Sequence, residues 1–372
     1  MAFSYTTTGG FLPKTFSLVS GALPPGVVLN ADGSVTGTYT TAGSFSWGVR
    51  VTDAVGTTAD LADSATIIAL ETIALGAADY LTGTRYVLAS ADGLDWDDPY
   101  RLTANTGNPL FNNGGKLIGG GGLLFAWGAA SSANQPAVST DSGATWTKTA
   151  ATYTMGQHAC FASGAIIVSP HLTGRWRSTD NGATFTNIGG GSGGIASPSP
   201  TGSQVFVCGQ TNVGRSTDSG ATYTTGAAVP AGFGNSPCGG TDGTYMYFGD
   251  AALGVPCLFR TLDSSSITVL TLPAFVTATR VTCFAARNGT KVIGTDSGEI
   301  AVDSGSGFVL AASTLGKAAI KVIHNGNVFV MLGDAGIGAS GGVIKTSADG
   351  NTWTTAALTT PIVLSGLALV NE

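Results

Sequence analysis

Apolar residues occur along this chain in short runs, and turns rich in glycine, asparagine and serine separate them. In the segment GSFSWGVRVTD at 43–53, the residues Phe45, Trp47, Val49 and Val51 alternate with smaller or polar residues. Side chains two positions apart lie on one face of a β-strand, so the segment is predicted to be a half-buried strand. No long stretch has the period of a helix, and no apolar run reaches the roughly 18 residues of a membrane span. The pattern predicts an all-β chain without a membrane span.

Residues 1–72 are predicted to form one small domain of antiparallel strands. The segment LPPG at 23–26 is incompatible with a helix and marks a turn. The segment ADGS at 31–34 is a hairpin signal between the apolar runs at 27–29 and 35–37.

These segments resemble the putative-Ig family of bacterial and phage surface proteins. The matching segments are FSL at 16–18, LPPG at 23–26, NADG at 30–33, GT at 37–38, TAG at 41–43 and VTD at 51–53. The resemblance covers nearly all of residues 1–70. It implies an Ig-like β-sandwich that serves as a spacer or adhesive module, and it names no ligand.

A turn motif recurs in the second predicted domain, residues 73–372. Three full copies are STDSGATW at 139–146, STDNGATF at 178–185 and STDSGATY at 216–223. Two shorter copies begin at Ser90 and Ser347, and two degenerate copies surround Asp263 and Asp303. The motif aspartates are 38 to 49 residues apart and lie at 92, 141, 180, 218, 263, 303 and 349. A period near 40 residues is that of one four-stranded blade, so seven copies predict a seven-bladed β-propeller.

The motif resembles the Asp-box of the BNR family of sialidase-like propellers, in which it is a structural turn between two outer strands of a blade. Asp and Ser side chains bind backbone N–H groups in tight turns, and glycine tolerates a positive φ. The aromatic residue that ends the motif is expected to pack between strands. The residues assigned to these structural turns are Ser90, Asp92, Trp96, Ser139, Asp141, Gly143, Trp146, Ser178, Asp180, Gly182, Phe185, Ser216, Asp218, Gly220, Tyr223, Asp263, Asp303, Ser347, Asp349 and Trp353.

The two ends of the propeller region complement each other. Strands are predicted at 74–81 and 85–89 before the first motif, but that motif has no inner strand of its own. The segment 364–370, after the last motif, has the composition of the other inner strands. The C-terminal segment is therefore predicted to supply the innermost strand of the first blade, which leaves no open sheet edge in the ring.

Sialidase-like propellers include glycosidases, and the resemblance indicates which residues a sialidase would need. These are three arginines for the substrate carboxylate, a Tyr nucleophile with a Glu partner and an Asp acid/base. The Arg-Ile-Pro motif that supplies one arginine is absent, and the glutamates are only Glu71, Glu299 and Glu372. We expect no enzymatic activity and no catalytic residue, and a glycosidase is the less favoured alternative.

Histidine and cysteine positions predict no metal site and no cofactor. The residues His158, His171 and His324 lack ligand spacing, and the cysteines form no CxxC pair. The five cysteines, expected to be small buried thiols, are Cys160, Cys208, Cys238, Cys257 and Cys283. Calcium at the Asp-rich turns is a less favoured alternative, because the spacing is not that of an EF-hand loop.

Arginines form the one candidate for ligand binding. Arg177, Arg215 and Arg260 each directly precede a motif in consecutive repeats, and Arg175 and Trp176 add a charge and a ring. One interpretation is a positive strip with a stacking ring for an anionic glycan. The other, which we favour, is that the arginines pack along neighbouring strands and the ring fills the space between blades.

Composition and charge narrow the choice of partner. Charged residues make up 10% of the chain, with 16 Lys and Arg against 22 Asp and Glu, and the net charge is −6. Nucleic acid is not expected as a partner, because phosphate binding needs a dense basic patch. The mean hydropathy of +0.27 suits a subunit that buries surface in an assembly.

The sequence-based prediction of function combines these observations. Both resemblances are to surface proteins, yet the N-terminal segment MAFSYT has no features of a secretion signal. A bacteriophage protein assembled in the host cytoplasm would account for both facts. We predict a non-enzymatic structural or attachment protein of the virion, in the tail or another exposed position. Its expected partners are other virion proteins and host-surface polysaccharide. The alternatives are a bacterial surface carbohydrate-binding adhesin and a sialidase-like glycosidase.

Overall fold

The computed structural model describes most of the chain and contains only β-structure there. The residues described are 3–37, 43–67, 73–79, 85–90, 97–101, 116–120, 122–127, 136–140, 145–149, 156–170, 174–190, 194–196, 202–234, 238–333, 342–356 and 362–369. Every regular element in these ranges is a strand, which confirms the all-β prediction. In the same ranges there is no helix of the length and apolar character that crosses a membrane. Contacts divide the chain into two units, Met1–Leu70 and Glu71–Glu372.

The first unit is an Ig-like domain with two three-stranded antiparallel sheets in its described part. Its strands are β1 (Phe3–Ser4), β2 (Thr15–Gly21), β3 (Val27–Leu29), β4 (Ser34–Gly37), β5 (Gly43–Thr52) and β6 (Thr58–Ile67). One sheet has the order β1-β4-β3 and the other has the order β2-β5-β6. Trp47 and Val49 of β5 are buried, as the alternating pattern predicted.

A polar chain connects the two sheets of the Ig-like unit. Trp47 Nε1 donates a hydrogen bond of 2.9 Å to the Tyr5 hydroxyl, which donates to Asp63 Oδ2 at 2.7 Å. Tyr5 directly follows β1, whereas Trp47 and Asp63 lie in β5 and β6. The buried indole is therefore hydrogen-bonded rather than left as a costly unpaired donor.

The second unit is a β-propeller in which the described strands form seven four-stranded antiparallel sheets. We number these sheets as blades 1 to 7. Blade 1 contains β34 (Ile362–Leu369), β7 (Ile73–Asp79), β8 (Arg85–Ser90) and β9 (Asp97–Arg101), in that order. Blade 2 contains β10 (Lys116–Gly120), β11 (Leu123–Trp127), β12 (Ala137–Ser139) and β13 (Thr147–Lys148). Blade 3 contains β14 (Gly156–Ala162), β15 (Ala165–Pro170), β16 (Arg175–Ser178) and β17 (Thr186–Gly189).

Blades 4 to 7 repeat the same meander. Blade 4 contains β18 (Gly194–Ala196), β19 (Val205–Cys208), β20 (Asn212–Ser216) and β21 (Thr224–Ala228). Blade 5 contains β22 (Cys238–Thr241), β23 (Met246–Ala252), β24 (Val255–Thr261) and β25 (Thr268–Val269). Blade 6 contains β26 (Val281–Arg287), β27 (Thr290–Thr295), β28 (Ile300–Asp303) and β29 (Val309–Leu310). Blade 7 contains β30 (Ala319–His324), β31 (Phe329–Gly333), β32 (Val343–Ser347) and β33 (Thr354–Thr355).

The first strands of the seven blades lie side by side in a closed order. Each of β10, β14, β18, β22, β26 and β30 contacts the next one, and β34 contacts both β30 and β10. The strand β34 pairs with β7 antiparallel from Ile362↔Asp79 to Leu369↔Ile73. This confirms the predicted closure of the propeller by its C-terminal strand, which begins two residues earlier than the predicted segment at 364–370.

The propeller core lies between consecutive blades and is built mainly from the second strands. In β11, β19 and β31, every residue is buried. Asn288 and Gly289, a predicted hairpin turn, have φ angles of 51° and 83° and join β26 to β27. Such short turns with positive φ angles join two neighbouring antiparallel strands of a blade directly.

Candidate functional site

The recurring aspartate of blade 3 accepts hydrogen bonds from its own turn. Ser178 Oγ donates to Asp180 Oδ1 at 2.7 Å and accepts from the Gly182 N–H at 2.8 Å. The Thr184 N–H donates to both carboxylate oxygens, at 2.9 and 3.0 Å, and the Thr184 hydroxyl donates to Oδ2. Asn181 and Gly182 have positive φ, which is why a glycine ends this turn. The hydroxyl and backbone hydrogen bonds from Thr184, together with the Ser178 hydroxyl, lower the pKa of Asp180 to about 2.

Blade 4 has the same geometry at the next copy of the motif. Ser216 Oγ donates to Asp218 Oδ1 at 2.7 Å and accepts from the Gly220 N–H at 2.9 Å. The Thr222 N–H and hydroxyl donate to the two Asp218 oxygens at 2.9 and 2.6 Å. The hydrogen bond from the Thr222 hydroxyl contributes most, and together these hydrogen bonds hold the pKa of Asp218 well below its usual range. The copies of the motif in blades 3 and 4 therefore adopt the same hydrogen-bonded turn.

The shorter copy in blade 7 keeps the core of this arrangement. Ser347 Oγ donates to Asp349 Oδ1 at 3.0 Å and accepts from the Gly350 N–H at 2.8 Å. The N–H groups of Asn351 and Thr352 donate to the same Asp349 oxygen. The shorter motif thus uses different backbone N–H donors, but its carboxylate is still hydrogen-bonded within its own turn.

The degenerate copies in blades 5 and 6 also use their aspartates locally. Asp263 Oδ1 accepts from the N–H of Ser265 at 2.9 Å. Asp303 Oδ1 accepts from the N–H groups of Gly305 and Gly307 at 2.7 and 2.9 Å. In blades 1 and 2, Ser90 and Ser139 are buried, whereas Asp92, Trp96, Asp141 and Gly143 lie outside the described residues.

In the two full turns that the structure describes, in blades 3 and 4, the glycine lies directly against the preceding blade. A Cβ added at Gly182 would be 2.6 Å from Val138 Cγ2 of blade 2, and one at Gly220 would be 2.7 Å from Ile167 Cγ1 of blade 3. The aromatic residues that end the motif pack into apolar clusters that join each blade to the blade before it. These residues are Trp146, Phe185, Tyr223 and Trp353. The described turns thus combine a hydrogen-bonded carboxylate with packing between blades.

An Asp180→Asn substitution is expected to reduce stability in a pH-dependent way. Because the folded-state pKa of about 2 is below the unfolded value of 3.8, ionised Asp180 stabilises the fold above about pH 4. That contribution disappears as the pH falls through about 2. We expect a loss of about 1 kcal/mol at neutral pH, since the carboxylate is exposed, shrinking toward zero near pH 2. Urea unfolding across this pH range measures the difference. The control is Thr179→Ala, an exposed neighbour in the same turn, and a pH-independent deficit in Asp180→Asn would contradict the interpretation.

The candidate arginines make contacts inside the propeller. Arg177 Nε donates to the Ser219 carbonyl at 2.7 Å, so a strand of blade 3 is tied to the turn of blade 4. Arg215 Nε and Nη2 donate to Gln204 Oε1 at 3.2 and 2.9 Å within blade 4. The Arg177 guanidinium group is thus hydrogen-bonded to the next blade, and the Arg215 guanidinium group is hydrogen-bonded within its own blade.

Three of the arginines also lie over aromatic rings. The guanidinium carbon is 4.6 Å from the ring centroid of Tyr223 for Arg175, 5.7 Å from that of Phe206 for Arg215, and 4.4 Å from that of Tyr245 for Arg260. Such pairs stabilise a structure by about 0.5–2 kcal/mol each.

These contacts correspond to the packing interpretation of the arginines. Trp176, between Arg175 and Arg177 in β16, is half-buried and lies opposite Val168. Glycan binding by Arg175, Trp176, Arg177, Arg215 and Arg260 stays a prediction.

Two acidic residues order a loop before blade 6, a role that the sequence analysis did not predict for either of them. Glu299 accepts hydrogen bonds from the N–H groups of Val276, Thr277 and Ala278 at 2.7, 3.0 and 2.9 Å. Burial opposes ionisation of Glu299, but these donors outweigh it and lower its pKa to about 2. Asp296 accepts from the Thr279 N–H in the same way. No sequence motif signals this role, because the donors are backbone groups about twenty residues away.

Cysteine and metal chemistry is not evident in the described residues. The cysteines there are free, and burial raises the pKa of Cys160 and Cys283 to about 12. Thiols that stay protonated are poor nucleophiles and poor metal ligands. The described ranges contain no cluster of three or more His, Cys, Asp or Glu residues that could hold a metal ion.

The fold defines the class of the protein: an Ig-like domain followed by a seven-bladed β-propeller. Residues 1–67 match the family described as "Putative Ig domain". No curated protein matches the chain.

Solved structures are similar to this chain in fold. The GH74 xyloglucanase from Xanthomonas campestris has a TM-score of 0.53 and 14% identity, over 78% of this chain and 53% of its own. YCF48 from Cyanidioschyzon merolae has a TM-score of 0.48 and 13% identity, over 72% and 96%. A chain of the nidogen–laminin complex has a TM-score of 0.46 and 11% identity, over 68% and 97%. At such identities the similarity shows the fold alone, and the chain spans about half the length of the xyloglucanase.

Proposed function

We propose that this chain is a non-enzymatic structural and attachment protein of a bacteriophage particle, and that its recurring turns are Asp-boxes. The observation that carries the non-enzymatic part is the state of the motif carboxylates. Asp180, Asp218, Asp263, Asp303 and Asp349 each accept backbone hydrogen bonds from their own turn. A general acid or nucleophile in a glycosidase must instead present its carboxyl group to substrate. These carboxylates stabilise the fold.

The Ig-like unit offers a contact surface for assembly, which we name the apolar tip. It consists of Phe11, Leu12 and Val55, whose exposed fractions are 65%, 82% and 67%. The Phe11 N–H donates to Asp53 Oδ2, and the Ala54 N–H donates to the Phe11 carbonyl, both at 3.2 Å. The two loops of the tip are therefore joined by hydrogen bonds. Large apolar side chains exposed together on an ordered surface are typical of protein–protein contacts.

The anchoring role of the first unit follows from this tip. We propose that the apolar tip binds a neighbouring virion protein and that the propeller contacts host-surface polysaccharide. The low charge and positive mean hydropathy of the chain support burial in an assembly. Exposed apolar residues on blades 5 and 6, which include Leu253, Val255 and Val276, offer a further contact surface.

The test of the virion assignment is the protein content of purified particles. Quantitative mass spectrometry of these particles is expected to find the chain in a fixed ratio to the other structural proteins. Particles that lack the chain would contradict the proposal.

Substitutions in the apolar tip test the anchoring role. A chain with Leu12→Ser and Val55→Ser is expected to fold normally, because exposed changes alter stability by less than about 0.5 kcal/mol. Its incorporation into particles should fall at least about tenfold, since a contact worth 1.4 kcal/mol changes an equilibrium tenfold. The control is Val28→Ser, a residue of the same unit that is 61% exposed and lies in the strand β3. Equal incorporation of both variants would exclude the tip as anchor.

The second candidate function is a carbohydrate-binding adhesin or a glycosidase, which the fold similarity to a GH74 xyloglucanase favours. A glycan array and a panel of aryl glycosides separate these possibilities. Glycan binding without turnover supports an attachment protein. Turnover that Asp→Asn substitutions in the propeller abolish would overturn the non-enzymatic proposal.

A further inference from the structure

The exposed large apolar side chains of the propeller are concentrated on two neighbouring blades. Among the propeller side chains that the structure describes, every such residue lies in blades 5 and 6 or in the segment that joins them. Each of these side chains is between 42% and 85% exposed. We name this surface the apolar edge, and its residues are Leu253, Val255, Leu262, Val269, Val276, Val309 and Leu310.

The outer strands of the blades show this contrast at equivalent positions. In blades 2, 3, 4 and 7, the two residues after the aromatic residue of the motif are exposed and polar, namely Thr-Lys at 147–148, Thr-Asn at 186–187, Thr-Thr at 224–225 and Thr-Thr at 354–355. In blade 6 the same two positions are Val309 and Leu310, and the outer strand of blade 5 ends in Val269. Because four blades form the same outer strand with polar residues, the fold of a blade does not require apolar residues there.

Contacts join the blade 5 and blade 6 parts of the apolar edge. Leu270 and Phe308, each of which directly adjoins an exposed residue of the edge in the chain, pack into one apolar cluster built from both blades. The Val276 N–H donates to Glu299 Oε1 at 2.7 Å, and Glu299 directly precedes β28 of blade 6. The segment after blade 5 is therefore held against blade 6, and the exposed side chains are carried by ordered backbone.

The apolar area of the edge suits a protein contact of standard size. A fully exposed Val or Leu side chain presents on the order of 100 Å² of apolar surface. At the observed exposures, the side chains of the apolar edge together present roughly 400 Å². One partner in a standard interface buries about 800 Å², and a little over half of that area is apolar. The apolar edge thus supplies the apolar share of one side of such an interface.

The segments that carry most of the apolar edge contain no charged residue. Residues 264–279 and 304–316 have no Asp, Glu, Lys, Arg or His. Contacts between different proteins commonly use complementary charges for specificity. In a two-fold contact between identical chains, a surface meets its own copy, so a charge within it would face a like charge. An uncharged apolar surface therefore favours a second copy of this chain as the partner.

We propose that two copies of this chain associate through the apolar edge in a two-fold, self-complementary contact. Burial of the exposed Val and Leu side chains of both copies drives the association. This dimer goes beyond the proposed attachment role and does not depend on it. A chain that stays monomeric in solution would overturn the dimer and leave the virion assignment to the analysis of particles.

Sedimentation velocity of the purified full-length protein over a concentration series tests the contact. The wild-type chain should change from monomer to dimer as the concentration rises. A chain with Val269→Thr, Val309→Thr and Leu310→Thr should have a dimer dissociation constant at least about tenfold higher, because each change counts twice in a two-fold contact. Its urea unfolding midpoint should match that of the wild type, since threonine occupies equivalent exposed positions in other outer strands.

The matched control is Val28→Thr, the same substitution at a valine of the Ig-like unit that is 61% exposed. This variant should dimerise like the wild-type chain. A wild-type chain that is monomeric throughout the series would overturn the proposal. Equal weakening of the dimer in the triple variant and in Val28→Thr, or a dimer that the triple variant leaves intact, would also overturn it.

A measurement on the unaltered protein guards against variants that alter folding. Hydrogen–deuterium exchange is compared at two concentrations, one at which the monomer dominates and one at which the dimer dominates. Peptides from 264–279 and 304–316 should exchange more slowly in the dimer, because the contact removes their amides from water. The outer strand of blade 4, β21, is the internal control and should exchange at the same rate at both concentrations. Protection of β21 or of the Ig-like unit in place of the two segments would assign the dimer to another surface and contradict the proposal.

Discussion

Removal of residues 362–372 is expected to leave the propeller unit unfolded at ordinary temperatures. The deletion removes β34, which pairs with β7 along its whole length and contacts both neighbouring inner strands. It would expose the paired edge of β7 and open the ring between blades 7 and 2. Leu367, Ala368 and Leu369 of this strand are buried.

The expected loss is comparable to the stability of a typical domain. Burial of two leucines contributes about 1.5–3 kcal/mol each, and each ladder hydrogen bond contributes about 1 kcal/mol. The total exceeds about 5 kcal/mol, whereas domains are stable by only about 5–15 kcal/mol. Circular dichroism and urea unfolding measure the effect, with a chain that ends at Val370 as control because it keeps the whole strand. A cooperative transition at the wild-type midpoint in the shortened chain would refute the closure role of β34.

A Gly119→Ala substitution is expected to destabilise the protein by about 3 kcal/mol. An added Cβ would lie 1.6 Å from the carbonyl oxygen of Leu369 and 2.8 Å from its carbonyl carbon. Both atoms belong to backbone that is hydrogen-bonded in a sheet, so the clash cannot be relieved by rotation of a side chain. One methyl group must therefore push β10 away from β34.

The matched control for Gly119→Ala lies in the same hairpin. Gly122 has a φ of +81°, and a Cβ there would meet no atom within 4 Å. Gly122→Ala introduces backbone strain alone and should reduce stability by about 1–2 kcal/mol. Chemical denaturation of both variants gives the comparison. If Gly122→Ala is the more destabilising change, close approach of β10 and β34 does not limit stability.

The fold could be predicted from the sequence because its signals are local and repeated. The motif at 178–185 holds its Ser, Asp, Gly and Thr within a few residues, and these residues also make the turn's hydrogen bonds. Seven copies at a period near 40 residues then specify the number of blades. The alternation in β5 specified a strand with Trp47 and Val49 on a buried face. Such features depend on neighbours in the chain and are readable without coordinates.

The contacts of the candidate arginines could not be predicted from the sequence in this way. The sequence shows that Arg177 and Arg215 precede a motif, but not that they donate to Ser219 and Gln204. Both the glycan and the packing interpretations place an arginine at the same position in a strand. Only the distance to a neighbouring blade distinguishes them, and that distance depends on how the blades pack.

The sequence by itself determined the all-β class, the two kinds of domain, the repeat and the position of the closing strand, because each depends on local periodicity and turn chemistry. Tertiary structure decided which side chains meet. Gly119 and Leu369 are 250 positions apart and share no motif. They lie in direct contact because closure of the ring places β34 beside β10. Long-range convergence of this kind is set by the geometry of the closed ring and not by any segment of the chain.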